Sequence, residues 1–326
     1  MSQLSKNSPT DSVPATTGDG ALNVSFADRL RYLPHYFVPQ RLATRVFYAS
    51  TRVRARWFKS LLIGTLRRMF RIDMSEAENP DPSSYPTFNH FFTRALRADA
   101  RPLAPGENVI SSPVDGAVSQ AGAIVDGRVF QAKGHFFSLV ELLGGDGEQA
   151  ALFADGQFTT LYLSPRDYHR IHMPIAGRLR AMTHIPGRLF SVSQLTTRVV
   201  PRLFARNERV VCLFDTDVGP MAMILVGAVN VASIETVWAG AITPPLGQAL
   251  RTWEYPRDSP DGQEIAIERG VEMGRFNTGS TVILLLPAGV SAWDESLQAG
   301  APVRMGAKIG TLVGRGNGAD APERAE

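Results

Sequence analysis

Residues 273–286 read Met273-Gly274-Arg275-Phe276-Asn277-Thr278-Gly279-Ser280-Thr281-Val282-Ile283-Leu284-Leu285-Leu286. The second half is a continuous apolar run opened by β-branched residues, the pattern of a buried strand. Before it stands Gly279, which leaves the backbone flexible and its carbonyl unhindered. The Ser280 hydroxyl can therefore reach the carbonyl of its own peptide bond. That geometry lets a chain cut itself and turn the serine into a new N-terminal group. Gly-Ser-Thr ahead of a strand is also an ordinary turn, and the tripeptide alone does not separate the two readings.

Working outward, short β-rich runs recur at 117–124, 158–163, 209–215 and 221–226, punctuated by Gly and Pro. They predict an α+β chain whose body is compact and largely antiparallel, with a few helices. One helix is expected over Ser138 to Leu143, and another after Thr87, a capping residue ahead of Phe88-Asn89-His90-Phe91-Phe92. Residues 23 to about 72 read as helices separated by Pro34 and Pro39, with Trp57, Phe58, Leu61, Leu62, Leu66 and Met69 roughly on one face. The expected division is a flexible tail at 1–22, a helical region at 23–100, a β-rich domain at 101–314 and a flexible tail at 315–326.

The 326 residues are 44% hydrophobic and 20% charged, the composition of a globular enzyme. A single cysteine, Cys212, excludes an internal disulfide and a multi-cysteine zinc site. It lies in the apolar run Val210-Val211-Cys212-Leu213-Phe214 and reads as a buried structural thiol. The net charge of +3 is small, but residues 41–70 carry eight Lys or Arg and no Asp or Glu. No run is long enough to span a bilayer, and the polar N-terminus has no secretory apolar core. The basic, aromatic stretch fits either a helix packed on the body or an interfacial helix with cations at anionic headgroups. A nucleic-acid reading has no accompanying motif.

His169 and His172 stand three apart in the Pro-bounded segment Tyr162-Leu163-Ser164-Pro165-Arg166-Asp167-Tyr168-His169-Arg170-Ile171-His172-Met173-Pro174. No metalloprotease signature or fixed carboxylate spacing accompanies them, so a metal site is not expected. Imidazoles in such a segment suit acid–base work. Asp115, in the turn Pro113-Val114-Asp115-Gly116, could brace that turn or orient an imidazole that takes a serine proton. The same residues would also fit a serine hydrolase. Ser280, however, leads into a strand rather than the strand-to-helix elbow common in such enzymes.

The segments SPVDG (112–116), YLSPRDYHRIHMP (162–174), PGRLFSV (186–192), LFARNERV (203–210), IETVWAG (234–240) and MGRFNTGST (273–281), in that order, resemble the bacterial phosphatidylserine decarboxylase family. The resemblance implies a proenzyme that cuts itself between Gly279 and Ser280 through a relay of Asp115, His172 and Ser280. It implies fragments of 1–279 and 280–326, and conversion of Ser280 to a covalent pyruvoyl group that forms an imine with the substrate amine. His169 is the implied proton donor, and no separate cofactor or metal is needed. The family commonly has Leu before Gly-Ser-Thr; here Thr278 stands there. The resemblance makes the helical region at 23–100 membrane-associating and the β-rich domain at 101–314 catalytic. Implied partners are phosphatidylserine, an anionic membrane surface and a second copy in a homodimer. The implied place is the cytoplasmic face of the bacterial cell membrane. A pyruvoyl decarboxylase acting on a soluble amino acid would not need the basic aromatic region, and a non-catalytic membrane module would not need Ser280.

Overall fold

The computed structural model describes residues 40–132, 134–228, 233–243, 249–256, 264–277 and 280–313. Both expected tails, residues 23–39 of the helical region, Thr278 and Gly279 lie outside the described residues.

Helices α1 (Gln40–Ser50), α2 (Arg56–Phe70) and α3 (Phe88–Phe92) come first. Strands β1 (Val109–Ser111), β2 (Gly116–Ala123), β3 (Arg128–Ala132) and β4 (His135–Ser138) follow, then the short helices α4 (Leu139–Leu142) and α5 (Gly147–Ala151). Next are β5 (Gln157–Leu163), β6 (Arg170–His172) and β7 (Gly177–Ile185), helices α6 (Gln194–Val199) and α7 (Leu203–Arg206), and the hairpin of β8 (Arg209–Thr216) and β9 (Gly219–Val226). The order closes with β10 (Ile234–Thr236), β11 (Gly240–Thr243), β12 (Arg251–Glu254), β13 (Ala266–Ile267), β14 (Glu272–Phe276), β15 (Ser280–Leu286), β16 (Ser291–Trp293), β17 (Pro302–Val303) and β18 (Lys308–Leu312).

The main sheet runs β12-β7-β8-β9-β15-β5-β2-β17, with β13 also on β7. A second sheet, β11-β10-β14-β6, carries the two-histidine segment, and a third joins β1, β18 and β16. The ladders are antiparallel among the described residues, as the β-rich runs predict. β15 is buried along its whole length because β9 and β5 flank it on both edges and the core covers both faces. Each of its fully buried Leu or Ile side chains contributes about 1.5–3 kcal/mol.

Two glycines fix the close approaches. A Cβ on Gly116 would lie 2.2 Å from the Tyr162 carbonyl oxygen, and one on Gly274 would lie 2.4 Å from that of Glu235. Only glycine lets β2 meet β5 and β14 meet β10 so tightly.

The helical N-terminal part has a core of its own. Ile63, Ile72, Met74, Ala77, Phe88, Phe91 and Phe92 are buried together, with Leu62, Leu66, Phe70 and Tyr85 against them. Thr87 caps α3 by accepting from the His90 amide, as predicted, and Ser138, expected as the first residue of its helix, instead caps α4 by accepting from the Glu141 amide. The single apolar face expected on α2 divides in two. Leu62 and Leu66 pack inward, whereas Trp57 (74% exposed), Leu61 (60%) and Met69 (68%) point outward. The apolar arc is wider than one neighbouring helix can cover. Lys59, counted above among the basic residues, is buried and donates to the Ser83 and Tyr85 carbonyls.

Candidate active site

The head of β15 decides where the site lies. Ser280 pairs with Leu163 at the end of β5, and the Phe276 amide donates to the His169 carbonyl at 3.0 Å. Thus the residues before Ser280 and those after Leu163 meet at one corner, between the main sheet and the β6–β14 sheet. Ser280 is fully buried, and its Oγ has no hydrogen-bond partner among the described residues. An orphaned buried hydroxyl costs about 1–3 kcal/mol, a cost that invites a functional explanation.

His169 is also fully buried. Its Nδ1 lies 2.8 Å from the Asp167 carbonyl, which can only accept, so Nδ1 carries the proton. The lone pair is left on Nε2, which has no partner among the described residues. Burial lowers the His169 pKa to about 3, with the nearby Arg94 charge adding to the effect. The ring is therefore neutral at physiological pH.

His172 ends β6, where its amide donates to the Pro113 carbonyl at 2.9 Å. Its Nδ1 faces the Gly270 carbonyl at 2.8 Å, and its Nε2 faces the Tyr168 hydroxyl at 3.1 Å. By the same reasoning Nδ1 is protonated and Nε2 accepts from Tyr168. Burial depresses the His172 pKa, partly opposed by the charges of Glu272 and Asp115. Burial pushes Tyr168 up to about 12, so it stays a donor.

Asp115 is buried in the turn before β2. Its carboxylate accepts from Arg101 Nε at 2.9 Å, Arg101 Nη2 at 2.6 Å and the Met305 amide at 2.8 Å. Arg101 also reaches Glu76 at 2.8 Å, and these carboxylates hold its guanidinium above its ordinary value. Asp115 and His172 are thus neighbours through Pro113, but carboxylate and imidazole are not hydrogen-bonded to each other. Arg101 and the Met305 amide occupy the carboxylate oxygens.

Several residues of this corner were not singled out from the sequence. Tyr168 could have been, since it lies within the two-histidine segment. Arg94, Arg101 and Phe92 carried no signal, because they come from the N-terminal part and arrive only by folding. Phe92 lies against His169, and Arg170 Nε donates to the Thr93 carbonyl at 3.0 Å. Glu272 joins Arg170 and Arg275 at the rim. The buried Cys212 lies in β8, away from this corner, with its thiol pushed up by burial. Among the described residues no group of three His, Cys, Asp or Glu side chains is placed to hold a metal.

Antiparallel sheets thus bring an unpartnered serine at a strand head to the corner that carries the buried imidazole of His169, with the buried imidazole of His172 further along the same segment, at the end of β6. The sequence profile described as phosphatidylserine decarboxylase matches residues 88–311. Proteins named phosphatidylserine decarboxylase proenzyme are similar over most of their length. That of Pseudomonas aeruginosa (strain LESB58) is 54% identical over 87% of this chain and 97% of its own. That of Azotobacter vinelandii is 54% identical over 87% and 98%, and that of Alkalilimnicola ehrlichii 57% over 79% and 88%. The chain belongs to the phosphatidylserine decarboxylase family.

Proposed function

We propose that this chain cuts itself between Gly279 and Ser280 and then removes CO₂ from phosphatidylserine to leave phosphatidylethanolamine. The observation that carries the reading is the buried, unpartnered Ser280 hydroxyl at the strand head, in the corner where His169 also offers an unpartnered nitrogen. The proenzyme name of the relatives agrees with it.

In the cutting step His172 is the base. Its Nε2 lone pair exchanges the Tyr168 hydroxyl for that of Ser280 and takes the proton, and the Asp115 charge stabilises the resulting imidazolium. The Ser280 oxygen attacks the Gly279 carbonyl carbon. The C–N bond breaks as the amine takes a proton, and the amide becomes an ester. Loss of the Ser280 α-proton expels the Gly279 carboxylate and leaves a dehydroalanine. Water converts this to a ketone with release of ammonia. The fragments are 1–279 and 280–326.

The pyruvoyl group so made supplies an electrophilic ketone that condenses with an amine and accepts the electron pair left by CO₂, the role often filled by pyridoxal phosphate. Ser280 would hold it at the head of β15, where the burial of the side chain suits a group that must be shielded from water. His169, neutral and with its Nε2 lone pair free, takes a proton from the substrate ammonium and returns it to the former α-carbon.

The outward apolar residues Trp57, Leu61 and Met69 of α2, with exposed Arg54, Arg56, Arg67 and Arg68 beside them, support seating on an anionic bilayer. This avoids lifting two acyl chains into water at about 0.8 kcal/mol per CH₂. No helix among the described residues is long and apolar enough to cross a membrane. The cytoplasmic face of the bacterial membrane and a homodimer complete the reading.

Intact-mass analysis tests it. The expected result is a fragment of 47 residues (326 − 280 + 1), its terminal amine replaced by a ketone. An uncut chain that still releases CO₂ from phosphatidylserine overturns the self-cutting step. A cut chain that releases none overturns the substrate.

A further inference from the structure

Arg94 is 5% exposed, yet its Nε has no hydrogen-bond partner among the described residues, and its guanidinium forms no salt bridge with a described carboxylate. Other buried cations among the described residues are satisfied. Lys59 donates to two carbonyls, Arg209 donates to those of Leu142, Asn207 and Glu141, and Arg101 grips Asp115 and Glu76. A buried, unpaired cation is among the costliest features a fold can keep. Burial accordingly pulls the Arg94 pKa below its ordinary value.

Its surroundings place it at the reacting corner. Arg94 follows Phe92, whose ring lies against His169, and Thr93, whose carbonyl holds Arg170. The Arg94 charge acts on His169, and the groups that act on Arg94 include Tyr85, Asp115 and Tyr168. The Phe91 ring lies 5.6 Å from its Cζ and leaves the guanidinium fork unoccupied.

We propose that Arg94 is the phosphate-binding residue of the site, its guanidinium donating to the phosphodiester oxygens of the lipid headgroup; this rests on the phosphatidylserine reading above. The headgroup carries two anions, a phosphodiester and a carboxylate. A cation on the carboxylate would stabilise the charge that must vanish as CO₂ departs, and so would hold back the reaction. The phosphodiester keeps its charge throughout. One methylene separates its ester oxygen from the amine-bearing carbon, so the anion must be held in the same corner as the reacting carbon. A planar guanidinium matches two phosphate oxygens at once, which an ammonium does not.

The test uses the self-cut full-length protein, with soluble dihexanoyl phosphatidylserine as substrate and dihexanoyl phosphatidylethanolamine as ligand. The latter keeps the phosphodiester and lacks the carboxylate. In Arg94→Gln the KM is expected to rise about 10- to 100-fold, the range of one lost charge-assisted contact, with kcat changed less than about threefold. The phosphatidylethanolamine Kd, read by calorimetry without turnover, should rise by the same factor, and Arg94→Lys should recover part of both. A raised KM with an unchanged phosphatidylethanolamine Kd assigns Arg94 to the carboxylate and overturns the proposal. So does a fall confined to kcat. Failure of both variants to cut themselves assigns Arg94 to folding and also overturns it. Wild-type protein that cuts itself but leaves phosphatidylserine untouched removes the substrate reading instead.

Discussion

The ring of Phe92 lies 4.2 Å from that of His169, centroid to centroid. It is the seam between the helical N-terminal core and the β body. Phe92 belongs to the small cluster under α2, and His169 to the segment beside Ser280. A residue from the part that carries the outward apolar stripe thus covers the imidazole proposed for proton transfer and shields it from water.

Phe92→Ala should cost about 3–5 kcal/mol through the cavity it opens. It should also admit water to His169 and raise its pKa from about 3 toward 6.5. Denaturant unfolding and imidazole titration by NMR check the two effects separately. An unchanged titration would mean that Phe92 is not what desolvates the ring.

Ser280→Ala removes the attacking oxygen. The chain should remain a single species of full-length mass, with no 47-residue fragment (326 − 280 + 1), while keeping its fold, since the hydroxyl makes no bond among the described residues. Circular dichroism and a denaturing gel measure this.

That uncut variant also allows a clean measurement of pH dependence. His169 and His172 have folded pKa values below the unfolded 6.5, so below pH 6.5 the unfolded chain binds protons that the folded chain refuses. Stability should therefore fall as pH drops from about 6.5, by up to about 1.4 kcal/mol per pH unit for each histidine. The His169 contribution should persist down to about pH 3. His169→Gln in the same background should flatten the slope in chemical denaturation.

Arg101→Gln leaves Asp115 and Glu76 without their shared cation. Breaking a buried pair from one side costs about 3–5 kcal/mol, and self-cutting should slow because Asp115 is freed from its fixed position. Glu76, now held below the usual carboxylate range first by its Arg101 hydrogen bond, should return toward it. A time course of fragment appearance in freshly refolded protein follows the cutting rate.

Replacing Trp57, Leu61 and Met69 together by Ser should weaken sedimentation with anionic vesicles at least tenfold and leave the cutting rate unchanged. These side chains point away from the core that holds α2 in place. Equal vesicle binding would remove the interfacial role of α2.

Much of the β body was legible in the sequence because its signals are local. The runs at 158–163, 209–215, 221–226 and 281–286 became β5, β8, β9 and β15 within one or two residues. The cap at Thr87 and the short helix after Ser138 were visible for the same reason. β7 (Gly177–Ile185) was not among the strands read from the sequence. It forms because β8 on one edge and β12 and β13 on the other pair with its backbone.

The sequence by itself determined the family, the β-rich class and which serine, histidines and aspartate are proposed to carry the chemistry, since each is a matter of residue order along a few short segments. Only the tertiary structure decided what surrounds them. It set Ser280 opposite Leu163, gave the Asp115 oxygens to Arg101 and the Met305 amide, laid Phe92 over His169, and left Arg94 buried without a partner. The physical reason is that burial and hydrogen-bond partnership at this corner join residues far apart in the chain, and no local pattern encodes which distant group arrives.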